Sequence, residues 1–182
     1  MSRWLKSAYG KLWGIVLNVA LSNNKRLSGG YTMKALDIAG YFVSLANNTP
    51  EHDLTNLKLQ KLLYYAQGKY LVANNGNTLF DDKVEAWQYG PVINDVYHAF
   101  KQCGNFPVTV FDVSYRVGAL NDQTKEFINK IWREIGEKYS GSYLVTKTHA
   151  NGTPWKRLYN ESDRNIEIPT SMLRQYFTSH NL

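Results

Sequence analysis

The chain has 182 residues, 43% hydrophobic and 20% charged, which suffices for one ordinary core and excludes collagen-like, disordered and low-complexity classes. Its one cysteine, Cys103, excludes an internal disulfide framework and fits a reducing compartment such as the cytoplasm. The formal charge of +6 does not point to nucleic acid: five of the 21 basic residues lie in an acid-free stretch over 1–32, which leaves a net charge of +1 for residues 33–182, too little for binding by phosphate neutralisation.

Residues 1–32 begin basic and carry an apolar run from Leu12 to Leu21, broken by Gly14 and Asn18. A run this short does not span a membrane, which needs about 20 residues, and Ala20-Leu21-Ser22 makes a poor signal-peptidase site. A signal peptide and an amphipathic surface helix stay open. The preferred reading is a third: Ser28-Gly29-Gly30-Tyr31-Thr32 can be encoded by a stretch with GGAGG about seven nucleotides before the Met33 codon, a bacterial ribosome-binding site. On that reading the leader is translated upstream sequence and the domain is 33–182.

From Met33, Leu36, Ala39, Tyr41, Phe42, Val43 and Ala46 recur at helical spacing and end in Asn47, Asn48 and Pro50. The stretch LTNLKLQKLLYYAQGKYLV, 54–72, predicts a second helix capped by Thr55 or Asn56. Leu59, Leu62, Leu63, Ala66, Tyr70 and Ala73 gather on one face, and Leu57, Tyr64 and Leu71 recur every seventh residue on another. That second stripe reads as core, the mark of a central helix buried on two sides, with Tyr64 as its partner-facing candidate. Lys58, Lys61 and Lys69 around Tyr65 read as a solvated face.

Next, Val84, Ala86 and Gln88 alternate with Glu85, Trp87 and Tyr89 as in a short strand. Gly90-Pro91 reads as a turn into a helix, with Pro91 at its first position and Val92, Val96, Ala99 and Phe100 on one face. FPVTVFDVSYRV predicts one or two strands. Asn121 caps a regular helix bearing Phe127, Ile128, Ile131, Trp132 and Ile135. SYLVTKTHANGTPWKRLYN reads as a short helix closed by Asn151-Gly152, a turn, and another begun by Pro154 with Trp155 inward. A last helix follows Pro169 with Met172, Leu173, Tyr176 and Phe177. The expected fold is α+β, mostly α: a single compact domain of about six or seven helices with a small antiparallel sheet.

No motif for a nucleophile elbow, P-loop, dinucleotide turn or zinc-protease helix occurs. His98 and Cys103 have no orienting third group by sequence, and the four histidines and one cysteine show no ligand spacing, so no metal or cofactor is expected. His149 reads as a structural residue of the HANGTPW turn, near a helix C-terminus whose partial negative charge favours the protonated ring. Trp87 reads as core and Tyr89 divides evenly between core and partner surface.

The order of blocks LTNLKLQKLLYYAQG, LFDDKVEAWQYGPVINDVYHAFK, TKTHANGTPW and IPTSMLRQYF resembles the SocA-like Panacea domain, also met in proteins labelled GepA, over Met33 to Phe177. Leu57, Lys58, Leu59, Gln60, Lys61, Leu62, Tyr64, Trp87, Gly90, Pro91, Val92, Tyr97, His149, Pro154 and Trp155 stand on the family pattern. The resemblance implies a cytoplasmic antitoxin of a bacterial or prophage toxin-antitoxin system, not an enzyme, which neutralises a cognate protein toxin by direct contact. Candidate partner-binding residues are Tyr64, Tyr89, Trp87, Lys58, Lys61 and Leu57. Gly90, Pro91, His149, Pro154 and Trp155 are its structural motif, and neither nucleic acid nor membrane is an expected partner. Three rivals remain: an adaptor that presents the toxin to an ATP-dependent protease, a phage or prophage enzyme acting as hydrolase or transferase, and, more weakly, a transcriptional regulator.

Overall fold

The computed structural model describes residues 33–109 and 120–180. The reading of residues 1–32 as translated upstream sequence, and most of the stretch FPVTVFDVSYRV expected to supply one or two strands, lie outside them.

Seven α-helices and one three-stranded sheet occur among the described residues. Helix α1 is Ala35–Asn47 and α2 is Asn56–Ala73. Strands β1, Glu85–Trp87, and β2, Gly90–Val92, form a hairpin followed by α3, Asn94–Phe100, and a single 3-10 turn. Then come α4, Asp122–Ile131, α5, Gly141–Thr148, α6, Pro154–Leu158, β3, Ile166–Glu167, and α7, Thr170–Ser179. This is the mostly helical α+β fold expected.

Helix α2 is the axis of the domain. Every residue from Lys58 to Gly68 is buried, so the helix is enclosed all round, which answers to apolar positions on more than one stripe. Its neighbours are α1, α3, α4, α5, α7 and β2. Thr55 caps it, its hydroxyl accepting from the Lys58 N–H at 3.3 Å, which satisfies one of the donors a helix start leaves open. Gly68 admits α7: a Cβ there would stand 2.0 Å from the Phe177 ring. Around that gap Tyr64, Tyr65 and Phe177 meet edge to face at 5.3 to 5.7 Å between centroids, the geometry ring quadrupoles favour.

The sheet is antiparallel in order β2-β1-β3, with Ala86 opposite Pro91 and Trp87 opposite Gly90. Here one expectation is corrected. Pro91 sits in strand β2 and not at the start of a helix; α3 begins at Asn94 after Ile93. Pairing with β1 decides this. Gly90 takes φ +100°, a conformation natural to glycine, which returns the chain along β1 after the two-residue tip Gln88-Tyr89.

Further along, Asn121 caps α4 as expected, accepting from the Thr124 N–H at 2.8 Å. The regular helix stops at Ile131, however, and one π-type turn, Trp132–Gly136, replaces its last part. A Cβ on Gly136 would meet the Trp132 ring at 2.4 Å, so the wider turn lays that ring over a glycine. Before α2, the Leu54 carbonyl accepts from the Val108 N–H at 2.8 Å and Thr55 bridges Pro107, which holds the start of FPVTV as a lone bridge.

Candidate functional site

The blocks that stand far apart in sequence meet at the β1–β2 hairpin. Pro91 has no N–H, and its position opposite Ala86 turns its carbonyl away from β1. That outward edge would be open for pairing with another chain, but α2 closes it with two side chains. Lys61 Nζ donates to the Pro91 carbonyl at 2.9 Å, and the Gln60 carbonyl oxygen accepts from the Ile93 N–H at 2.9 Å. Gln60 in turn donates to Asn56, which donates to the Tyr97 carbonyl. These adjacent polar residues sit in a core helix to satisfy a strand edge.

The other end of the hairpin is held from the HANGTPW turn. Trp155 Nε1 donates to the Trp87 carbonyl at 2.7 Å. Thr153 caps α6, and Pro154 occupies its first position, the latter as the sequence predicts. His149 stacks flat on Trp155 at 3.7 Å between centroids. Gly90 closes the arrangement from above: a Cβ there would lie 2.9 Å from both Lys61 Nζ and Thr148 Oγ1. Gly90, Pro91, His149, Pro154 and Trp155 are thus brought together, and Lys61 joins them.

The electrostatics follow from burial. Lys61 is fully buried, and losing water, with no carboxylate in return, lowers its pKa to about 7. His149 is shifted below the ordinary histidine value, first by burial and then by Lys61 and Lys156. The expectation that the helix end favours the protonated ring is therefore corrected in direction: desolvation, and after it Lys61 and Lys156, outweigh the helix end. Its Nε2 is buried and has no hydrogen-bond partner among the described residues.

The lysine expectation is corrected too. Lys58 and Lys61 are buried, not solvated; Lys58 pairs with Asp53, and Lys61 serves the strand edge. Tyr64 is 1% exposed beneath Phe177, so these three side chains offer no surface to a partner. Leu71 is core as expected, while Leu57 departs from that stripe and is 40% exposed.

What does face outward is the hairpin tip and its flank. Tyr89 is 64% exposed. Trp87 is half-buried: its ring rests on Tyr97 at 5.0 Å, and its Nε1 donates to Glu85 at 2.8 Å. Leu57, Gln60, Trp87, Tyr89, Tyr97 and Lys101 line a groove of about 620 Å³. Sequence reading did not join Gln60, Tyr97 and Lys101 to this place; two buried polar residues in succession on an apolar helix were the available signal. Among the described residues no group of three or more His, Cys, Asp or Glu is placed to hold a metal ion, and no helix is long and apolar enough to cross a membrane.

Fold and site together define a class: a helix-centred α+β domain that clamps a short hairpin and presents its aromatic tip. The chain belongs to the family described as Antitoxin SocA-like, Panacea domain, whose model matches residues 59–156. It is similar to Antitoxin SocA of Caulobacter vibrioides, 34% identical over 126 residues, which make up 63% of this chain and 65% of that protein's length. No solved structure matches the chain.

Proposed function

We propose that this domain is a cytoplasmic antitoxin that neutralises a cognate protein toxin by stoichiometric binding, with no chemistry of its own. Family membership and the similarity to Antitoxin SocA support the role. The observation that carries the mode of action is the hairpin. Both its flanking carbonyls are tied down, by Trp155 and by Lys61, while Tyr89 at its tip is 64% exposed. A large ring held on a rigid support suits an interface anchor, because little freedom is lost on binding. Trp87 and Leu57 flank it and complete the contact surface.

The test is co-expression with the protein encoded beside this gene. Restored growth together with a one-to-one complex on co-purification is the expected result, and residues 33–182 alone suffice for both. Rescue by loss of the toxin, dependent on an ATP-driven protease and without a stable complex, overturns stoichiometric binding in favour of an adaptor. Absence of rescue against every neighbouring gene product overturns the antitoxin reading.

A further inference from the structure

The groove beside the hairpin has a chemical bias. Among the described residues its lining is Leu57, Trp87, Tyr89, Val92 and Tyr97 with amide side chains, and it contains one charged residue, Lys101, and no acid. Of the acids nearest in sequence to this lining, Asp53 pairs with Lys58, Glu85 accepts from the neutral Trp87 indole and keeps its charge, and Asp95 lines a different pocket together with Asp82 and Glu85. Lys101 is exposed at the groove's end, with no carboxylate among its described ion pairs. Behind the wall, Lys61 faces a carbonyl and not a carboxylate. Among the described residues of the lining the formal charge is therefore positive, at Lys101, and a group on a partner that complements it there carries negative charge.

We propose that this groove takes an acidic, apolar-anchored segment of the partner protein, with one aromatic or large aliphatic side chain packed among Leu57, Trp87, Tyr89 and Tyr97 and a carboxylate at Lys101. The proposal rests on the reading that this face binds a protein, and it adds what the bound segment looks like. The space suits side chains and not a folded surface, since about 620 Å³ falls within the range of pockets that enclose small ligands, about 300 to 1,000 Å³. Aromatic walls supply contact area, and Lys101 supplies the charge that a carboxylate of the segment meets.

Random peptides displayed on phage, selected against the immobilised full chain, provide the probe. Enriched sequences should pair a Phe, Tyr, Trp or Leu with an Asp or Glu a few residues away. A synthetic peptide made from the consensus should bind about tenfold more weakly to Tyr89→Ala, in keeping with loss of an aromatic anchor. It should also bind more weakly to Lys101→Glu, and replacing its acid by Lys should restore binding to that variant. Both positions are exposed, so unchanged thermal melts show that neither variant acts through folding. Enrichment of basic or uncharged peptides, binding indifferent to both substitutions, or failure of the charge swap overturns the proposal. So does self-association abolished by Tyr89→Ala in sedimentation, which assigns the groove to a second copy. Running the rescue assay on the same variants keeps the two readings apart: normal neutralisation by both variants defeats the groove alone, whereas peptide binding as expected without any rescue defeats the antitoxin reading alone.

Discussion

Helix α2 holds two neighbours by opposite means. Toward its C-terminal half, α7 docks through shape: Phe177 fills the space over Gly68 and its ring meets Tyr64 and Tyr65. Toward its N-terminal half, the hairpin docks through polar side chains, Lys61 on the Pro91 carbonyl and Gln60 on the Ile93 N–H. The first contact derives its strength from buried area and close packing. The second derives its direction from hydrogen bonds whose loss would leave buried groups unpaired. Apolar docking fixes that two elements touch, and polar docking fixes how an exposed tip is aimed. The side chains offered to solvent stand on the second.

The apolar dock can be broken hardest. Phe177→Ala should lower folding stability by about 3 to 5 kcal/mol, the range for removing a buried aromatic. Gly68→Ala, which forces a methyl group against that ring, should cost about 1 to 3 kcal/mol or more. The two together should cost less than their sum, because the new methyl group then enters vacated space. Urea denaturation of the four proteins measures the coupling; strict additivity would mean that α7 does not seat over Gly68.

The polar dock should show itself as pH dependence. Lys61 has a folded pKa near 7 against an unfolded value near the ordinary 10.4 for lysine. Below pH 7 both states are protonated, and the folded state carries the full cost of a buried charge. Between 7 and about 10 the unfolded chain holds more protons, so stability rises with pH. Tyr64 and Tyr65 act at the upper end: burial raises both above the ordinary value. Above about pH 10 the unfolded tyrosines ionise first and stability falls again. Chemical denaturation at intervals from pH 6 to 11 should therefore show a maximum near pH 9 to 10, about 2 to 4 kcal/mol above the value at pH 7. In Lys61→Met the rise from pH 7 to 9 should largely vanish, while the fall above 10 stays. A variant with the same rise as the parent would show that Lys61 is not the titrating group.

What the sequence made legible divides along the same line. Caps and apolar stripes are local, so Thr55, Asn121, Pro154 and the stripes of α1 and α4 could be read from their own neighbourhoods. The burial of Lys61 could not, since its acceptor lies 30 residues away and a lysine on a helix is most simply solvated. Tyr64 was legible as part of a core stripe, but not that Phe177, from the far end of the chain, covers it and closes it to a partner. Pro91 misled because a proline after glycine suits a helix start as well as a strand edge, and only the register with β1 decides. His149 was placed in the right turn but its pKa was expected to shift the other way, as burial and then Lys61, from another helix, lower it. The site's members were visible as family positions; their mutual geometry was not.

A smaller effect should follow from loosening the hairpin at its other end. Trp155→Phe keeps a buried ring but removes the donor to the Trp87 carbonyl, and should cost about 1 kcal/mol of stability, the net worth of one such hydrogen bond. Binding of the proposed toxin partner should weaken along with it, because Tyr89 is then aimed less well. Titration of toxin into the folded variant, beside its thermal melt, distinguishes the two losses; a lower melt with unaltered affinity would show that the clamp serves folding only.

The smallest change in stability should come where the largest change in binding is expected. Tyr89 is 64% exposed and Leu57 40%, so truncating either to Ala removes little buried area, and surface changes of this kind usually stay within about 0.5 kcal/mol. If the tip is the anchor, Tyr89→Ala should nevertheless weaken toxin binding by about 2 kcal/mol or more, and Leu57→Ala by less, as a flank outside the central contact does. Tyr64→Ala makes the contrasting arm: buried against Phe177, it should melt early, and any protein that folds should bind normally. Calorimetric titration at matched temperature reads affinity, and scanning calorimetry reads stability. An affinity loss that followed burial, with Tyr64→Ala weakest in binding once folded and Tyr89→Ala unaffected, would move the contact surface away from the hairpin and leave the clamp as a device of folding alone.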